Sequence, residues 1–319
     1  MKKQKKRIVV IGGGTGLSTL LRGLKKFDTD LTAIVTVADD GGSSGRLRDD
    51  YHVPPPGDIR NVIAALSEVE PLVEEMFQYR FKGQGKEHLN GHSLGNLMLT
   101  ALTEITGDFS HAIRQMSRVL NVNGRVLPAA NQRLTLFAEF EDGKIIEGES
   151  KIPSYGQPIK RVFSKPHHVH ALPEAVEAIE QADVIVIGPG SLYTSIIPNL
   201  LVEDIRKAVL RSSARKVYIC NLMTQRGETS GYTASDHVRA IHTHVGEPFI
   251  ETILINDDAD VPEEVQKAYE EENAEPVRFD VRLLEGMGLR VEKGAIATLS
   301  EKGSVRHEAT NVAEWLMTY

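Results

Sequence analysis

Residues 7 to 17 read R-I-V-V-I-G-G-G-T-G-L, and this stretch limits the fold more than any other. The run I-V-V-I is too short for a buried helix and stops at glycines, so it reads as a strand buried on both faces. Leu17, Leu20, Leu21 and Leu24 then recur at helical spacing across 15–27, and a second apolar run follows at 31–37. A strand, helix and strand joined this way form a parallel, right-handed crossover unit. The pattern returns later, with strand-like runs at 182–187, 216–222 and 251–256 and helical patterns at 200–211 and 234–245. The expected fold class is therefore α/β: a Rossmann-like, doubly wound, mostly parallel sheet with helices on both faces.

Two features interrupt the alternation. Helical patterns at 58–72, 93–105 and 108–120 make 58–120 a mainly helical insertion, with Ser93 as an N-cap and Gly107 as a stop. Apolar runs at 134–140 and 144–150 flank Asp142-Gly143, a β-hairpin signal. No internal repeat, low-complexity tract or linker divides the chain, so residues 1–319 are expected to form one domain. The charge-rich segment 263–272 reads as a solvated helix face.

Composition narrows the function. A chain of 319 residues with 41% hydrophobic content can bury a large core, and its net charge of -7 offers no general attraction to a polyanion. With no local basic patch, a nucleic-acid partner is not expected. The basic run 2–7 precedes too few apolar residues for a signal peptide, and no apolar run reaches membrane-spanning length. The single cysteine, Cys220, forms no internal disulfide and reads as a buried strand residue, which points to a reducing cytoplasm.

Candidate chemistry clusters at strand ends. The turn Gly12-Gly13-Gly14-Thr15-Gly16 lets backbone N–H groups approach a phosphate at a helix N-terminus, although its third glycine is misplaced for a strict dinucleotide fingerprint. After the second strand come Asp39 and Asp40, then a glycine-rich stretch with Arg46, Asp49 and Asp50, and then Asp58. One aspartate suffices to hold a ribose; several suit a Mg2+ shared with phosphate oxygens, while turn chemistry or an N-cap at Asp58 is the plainer explanation. The loop Gly188-Pro189-Gly190-Ser191-Leu-Tyr-Thr194-Ser195 follows a very apolar strand, where ligands bind in open parallel sheets. Asn90 to Asn96 supplies further side-chain donors before a helix, or simply caps it. The His167-His168-x-His170 cluster lacks the cysteine or carboxylate of a zinc set and reads as an exposed loop or strand. There is no nucleophile elbow and no G-x-x-x-x-G-K-[ST] loop. An NAD-dependent dehydrogenase would need a catalytic proton donor that the sequence does not offer, although NAD(P) remains a candidate ligand for the same phosphate-recognising surface.

G-G-G-T-G-L at 12–17, V-A-D-D-G-G-S-S-G at 37–45, P-P-G-D-I-R-N at 55–61, N-G-H-S-L-G-N at 90–96 and I-G-P-G-S-L-Y-T-S-I-I-P at 187–198 occur in this order. Together they resemble the YvcK-like gluconeogenesis-factor family, related to 2-phospho-L-lactate transferase of the CofD-like group. The resemblance runs end to end, through G-Y-T-A-S-D-H at 231–237 and Arg306-His307. It implies a cytoplasmic protein that binds UDP-N-acetylglucosamine and supports growth on gluconeogenic carbon, cell shape and wall synthesis. It also implies a protein partner in wall synthesis or carbon metabolism, and a homo-oligomer is compatible with it. Asn61, Asn96 and Arg306 join the ligand-binding candidates on this basis. Asp40 matches the first metal-binding aspartate of the transferase, and Asp58 falls where its second motif lies. The alternative function is accordingly a Mg-dependent transfer of a phosphorus-containing group from a nucleotide-diphosphate donor. Here, however, the second motif reads P-P-P-G-D-I-R-N instead of serine-proline-aspartate, which sets this chain apart from deazaflavin transfer. The stretch 39–61 is expected to line the mouth of a nucleotide-diphosphate site, opposite the 12–16 turn and the 188–195 loop.

Overall fold

The computed structural model describes residues 5–69, 71–83, 88–257, 270, 274–300 and 303–319. The chain starts with β1 (Lys6–Gly12), α1 (Gly14–Leu24) and β2 (Thr29–Val35). It then builds α2 (Gly42–Tyr51), α3 (Gly57–Leu66), α4 (Pro71–Gln78), α5 (Leu94–Thr106) and α6 (Phe109–Val119) before β3 (Arg125–Pro128). The helical insertion is thus the crossover from β2 to its parallel neighbour β3. Ser93 accepts from the Asn96 N–H as the N-cap of α5, and Gly107 ends that helix. An antiparallel excursion follows: β4 (Thr135–Phe140), β5 (Ile145–Glu147), the short α7 (Ile152–Tyr155) and β6 (Ile159–Lys165). Its strands lie in the order β5-β4-β6, so the expected hairpin gains a third strand.

The alternation resumes with α8 (Pro173–Glu180), β7 (Val184–Ile187), a π-helical turn at Leu192–Ile196, α9 (Ile197–Leu200), α10 (Glu203–Arg211) and β8 (Arg215–Ile219). Then come α11 (Ala234–Val245), β9 (Thr252–Asn256), a helix at Val281–Gly286, β10 (Arg290–Gly294), the hairpin β11 (Ala297–Leu299) and β12 (Val305–His307), and a helix at Ala309–Thr318. Among the described residues the main sheet has seven strands in the order β10-β9-β8-β7-β1-β2-β3, every pair parallel. From β1 the chain winds outward through β2 to β3, and from β7 it winds the other way to β10. The β1–β7 junction is therefore the topological switch point, and a crevice opens there above the carboxyl ends of the strands. In register, Ile11 lies between Ile34 and Ile187, all with no exposed surface. Each such side chain contributes about 1.5–3 kcal/mol by leaving water.

The fold departs from the sequence pattern in instructive places. Residues 42–51, which carry no apolar period, form α2; Leu47 is buried, and Gly45 lies so close to Asp40 that an added Cβ would come within 2.0 Å of the Asp40 carbonyl. The pattern at 58–72 divides into α3 and α4, and that at 200–211 divides into α9 and α10. The N-cap of α3 is Pro56, so Asp58 stands inside its first turn and is not the cap. Segment 263–272 lies outside the described residues except for Glu270. His168 and His170 stand exposed, as expected, but carboxylates do lie beside them, because the fold brings Glu203 and Asp204 of α10 to this loop.

The Ala309–Thr318 helix packs against α1 at Gly23, where a Cβ would lie 2.2 Å from the Ala309 carbonyl oxygen. Gly23→Ala is expected to destabilise the chain by about 1–3 kcal/mol through this overpacking, even though alanine is the better helix former. Urea unfolding followed by circular dichroism measures the effect.

Candidate functional site

Two loops meet over the switch point. Gly13 is the extended N-cap of α1, and Gly14 adopts φ +66°, a left-handed value that turns the chain sharply into the helix. Facing them, Gly188-Pro189-Gly190 leaves the end of β7. A Cβ on Gly16 would stand 3.0 Å from the Pro189 carbonyl oxygen, and one on Gly190 would stand 3.1 Å from that of Gly13. Two buried amides fix this approach. The Asn199 Nδ2 donates to the Gly12 carbonyl at 3.1 Å and the Ser195 carbonyl at 2.8 Å. The Asn221 Nδ2 donates to the Gly190 carbonyl at 2.8 Å, while its Oδ1 accepts from the Tyr218 hydroxyl at 2.9 Å.

The crevice between the loops measures about 340 Å³, a size suited to a small-molecule ligand. Gly13 to Gly16, Pro189 to Ser191 and Ser195 form its floor; residues 221–225 form one wall, and 305–307 the other. The first wall is held by an exchange of backbone bonds, with the Thr224 N–H donating to the Glu275 carbonyl and the Val277 N–H to the Leu222 carbonyl. On the opposite wall His307 bonds the Cys220 carbonyl at 2.9 Å, and burial holds its pKa down to about 4. The neutral His307 thereby anchors β12 and presents the exposed Arg306 to the crevice. This arrangement joins helix N–H groups, serine hydroxyls and one cation, the chemistry that receives phosphate oxygens.

Carboxylates gather on the other side of Gly13. Its hypothetical Cβ would fall 2.7 Å from Asp58 Oδ2, so the glycine admits that side chain. Asp58 accepts from the Gly14 N–H, yet burial and the neighbouring Asp39 raise its pKa to about 7. Asp39 accepts from the Gly41 N–H at 2.9 Å, and burial raises its pKa as well. Glu149, on the turn after β5, rises to about 8 through burial and the negative charges of Asp39, Asp58, Glu228 and Asp40. Among the described residues, neither Asp39, Asp58 nor Glu149 has a lysine or arginine ion pair. Such uncompensated charge fits a divalent cation. Among the described residues no three histidine, cysteine or carboxylate side chains converge tightly enough to hold a metal alone. That suits Mg2+, which takes one or two carboxylates and completes its shell with water and phosphate oxygens. Asp39 and Asp58 are the carboxylates that could serve such an ion, with Glu149 nearby, and a bound Mg2+ would offset phosphate charge beside α1.

The remaining sequence candidates occupy varied positions. Gly12, Gly13, Gly14, Thr15, Gly16, Pro189, Gly190, Ser191, Ser195 and Arg306 come together at the crevice or its floor. Thr194 turns away, donating its hydroxyl to Glu228 at 2.7 Å; Glu228 also accepts from the Tyr193 N–H at 2.9 Å and so braces the loop from behind. Asp40 accepts from the Ser150 N–H at 2.8 Å and tethers the turn that carries Glu149. Asn96 is buried and donates to Ser43 at 3.0 Å, Asn61 accepts from Arg60, and Arg46 donates to the Asn90 carbonyl. None of these last three lines the crevice. Sequence reasoning passed over Glu149, Glu228, Asn199 and Asn221. Each acts through long-range contact, and only the polar spacing N-x₃-Q-x₂-E at 221–228 marks two of them.

Fold and site define a doubly wound α/β protein with a polar crevice at its switch point. The model of the family described as 2-phospho-L-lactate transferase CofD matches residues 8–297. This chain belongs to that CofD-like family and, within it, to the YvcK-like gluconeogenesis-factor group. It is 59% identical to the "Gluconeogenesis factor" of Bacillus subtilis, the match covering 98% of each chain. It is 55% identical to the protein of the same name from Halalkalibacterium halodurans, over 98% of this chain and 96% of that one. A crystal structure of a Bacillus halodurans protein superposes with a TM-score of 0.95 at 54% identity, covering 98% of this chain and all of the other.

The raised carboxylates set a pH dependence. A group whose folded pKa lies above its unfolded value stabilises the fold below the unfolded pKa, near 4, and loses that contribution as pH rises through the folded pKa. Stability without added metal is therefore expected to fall between about pH 5 and pH 8, as Asp58 and Glu149 ionise at about 7 and about 8. Urea midpoints across this range measure the slope. Glu149→Gln should flatten it, and an unchanged slope would contradict the charge cluster.

Proposed function

We propose that this chain is a gluconeogenesis factor: a binding protein for a nucleotide sugar, UDP-N-acetylglucosamine, that regulates carbon partition, cell shape and wall synthesis. It acts in the cytoplasm through a protein partner. The observation that carries this reading is the crevice itself, a floor of helix N–H groups between two pinned glycine loops, with no activated nucleophile beside it. Burial pushes the Cys220 thiol up and keeps it inert, and Ser195 has no adjoining histidine base. The name borne by the Bacillus subtilis relative supports the same reading. Regulation requires that the ligand favour one conformation over another; the loops around Glu149 and Glu228 are the segments whose charge balance a bound diphosphate and cation would alter.

One observation favours a second reading, Mg-dependent transfer from a nucleotide-diphosphate donor. The carboxylates Asp39, Asp58 and Glu149 lack arginine or lysine ion pairs among the described residues, and a divalent cation bound by them would stabilise charge on a departing phosphate. The family description is compatible with it.

Calorimetric titration separates the readings. UDP-N-acetylglucosamine is expected to bind at least about tenfold more tightly than GDP or NAD(P), a difference of about 1.4 kcal/mol, without turnover in the presence of Mg2+. Equal affinity for the three would remove the uridine assignment. Product formation abolished in Asp58→Asn would install the transferase instead.

A further inference from the structure

Arg46, Arg60 and Arg80 are provided for differently from most arginines in this chain. Arg7, Arg114, Arg133 and Arg161 each have a carboxylate within ion-pair distance. The other three have none among the described residues and are satisfied by neutral acceptors. Arg60 is only 7% exposed; its guanidinium donates to the side-chain oxygens of Gln78 and Asn61, and its Nε has no partner. Arg80 donates to the Gly91 carbonyl at 2.6 Å and Arg46 to the neighbouring Asn90 carbonyl at 2.7 Å. Neutral acceptors hold a guanidinium in place without cancelling its charge.

The backbone brings these cations together. Residues 79–81 pair with 91–94, with a bridge between Arg80 and Ser93 and bonds from Phe81 N–H to the His92 carbonyl and from Gly91 N–H to the Phe81 carbonyl. Gln78, at the end of α4, ties Arg60 on α3 to the same segment. Arg46 reaches the same segment closely: a Cβ on Gly91 would stand 3.1 Å from its guanidinium nitrogen. The chain carries 44 acidic residues against 37 lysines and arginines, yet among the described residues none stands within ion-pair distance of these three. The cluster lines no part of the crevice at the switch point.

We propose that Arg60 and Arg80, with Arg46 at the rim, form a separate oxyanion subsite that takes a phosphate group. The planar guanidinium fork matches a phosphate in paired hydrogen bonds, and the unpartnered Arg60 Nε supplies a buried donor for it. Arg60 lies two residues from Asp58 and within the electrostatic reach of both Asp58 and Asp39. The molecule therefore runs from nucleotide crevice to carboxylates to arginines, an order that lets it hold two anionic groups on either side of one cation. This inference does not depend on which nucleotide the crevice prefers.

Inorganic phosphate is the probe. Thermal unfolding and calorimetry of the full chain, compared with chloride at equal ionic strength, are expected to show phosphate binding. The double substitution Arg46→Gln/Arg80→Gln alters two exposed side chains and should leave the chain folded, as circular dichroism checks, while weakening phosphate at least tenfold. Gly190→Val closes the crevice, so the phosphate binding that remains in this variant reports the arginine subsite alone and should be lost when Arg46→Gln/Arg80→Gln is added. No phosphate binding by the unsubstituted chain, equal binding in the double variant, or loss in Gly190→Val would each overturn the subsite.

Discussion

Above the β1–β7 junction two backbones come so close that a single methyl group on either side would press into the other. Gly16 faces Pro189, and Gly190 faces Gly13, at separations that leave room for hydrogen alone. Every other feature of the crevice follows from that approach. It lets the N-terminus of α1 and the end of β7 share one floor, where the side-chain amides of Asn199 and Asn221 donate to loop carbonyls, Asn199 joining the Thr36 N–H on that of Gly12. Asn199 has no exposed surface and spans both loops, so it senses any change in their spacing.

Charge is distributed around this junction in a way that stability alone does not favour. Asp58 sits at the positive end of α1 and accepts from its first N–H, an arrangement that favours the ionised form. Burial and Asp39 outweigh that stabilisation, and Glu149 is lifted further by the same neighbours. A fold built for stability alone would have paired these carboxylates with the arginines nearby. Instead the positive and negative groups are kept in separate clusters, each held by neutral hydrogen bonds. Such segregation suits a site whose charge is completed by what it binds.

How much of this was legible in the sequence depended on the range of the interaction responsible. The strands at 7–11 and 182–187, the helix at 234–245 and the hairpin turn at Asp142-Gly143 follow from local periodicity or turn chemistry, and they stand in the structure within a few residues. Helix α2 was invisible because its buried face joins Ser43, Ser44, Gly45 and Arg48 to a single apolar residue, Leu47, and so carries no hydrophobic period. The break between α3 and α4 was hidden because Leu66, Val69, Leu72 and Val73 keep helical spacing across it. At the site, the glycine loops were legible because only a few folds need glycine at a strand end. Glu149 and Glu228 were harder to read, because each acts on segments distant in the chain, and the one local partner is Gln225, three residues before Glu228.

The origin of those carboxylates also bears on how binding could be communicated. Asp39 follows β2, Asp58 lies on α3, and Glu149 comes from the antiparallel excursion, tethered by Asp40 to Ser150. Three elements of different sheets and layers thus meet only where their negative charges repel one another. A cation drawn there by a diphosphate would replace mutual repulsion with shared attraction, pulling the excursion and α3 toward α1. A ligand shifts a conformational balance only by its unequal affinity for the two states. Here the inequality has a physical source, since the assembled cluster is costly without the cation and favourable with it.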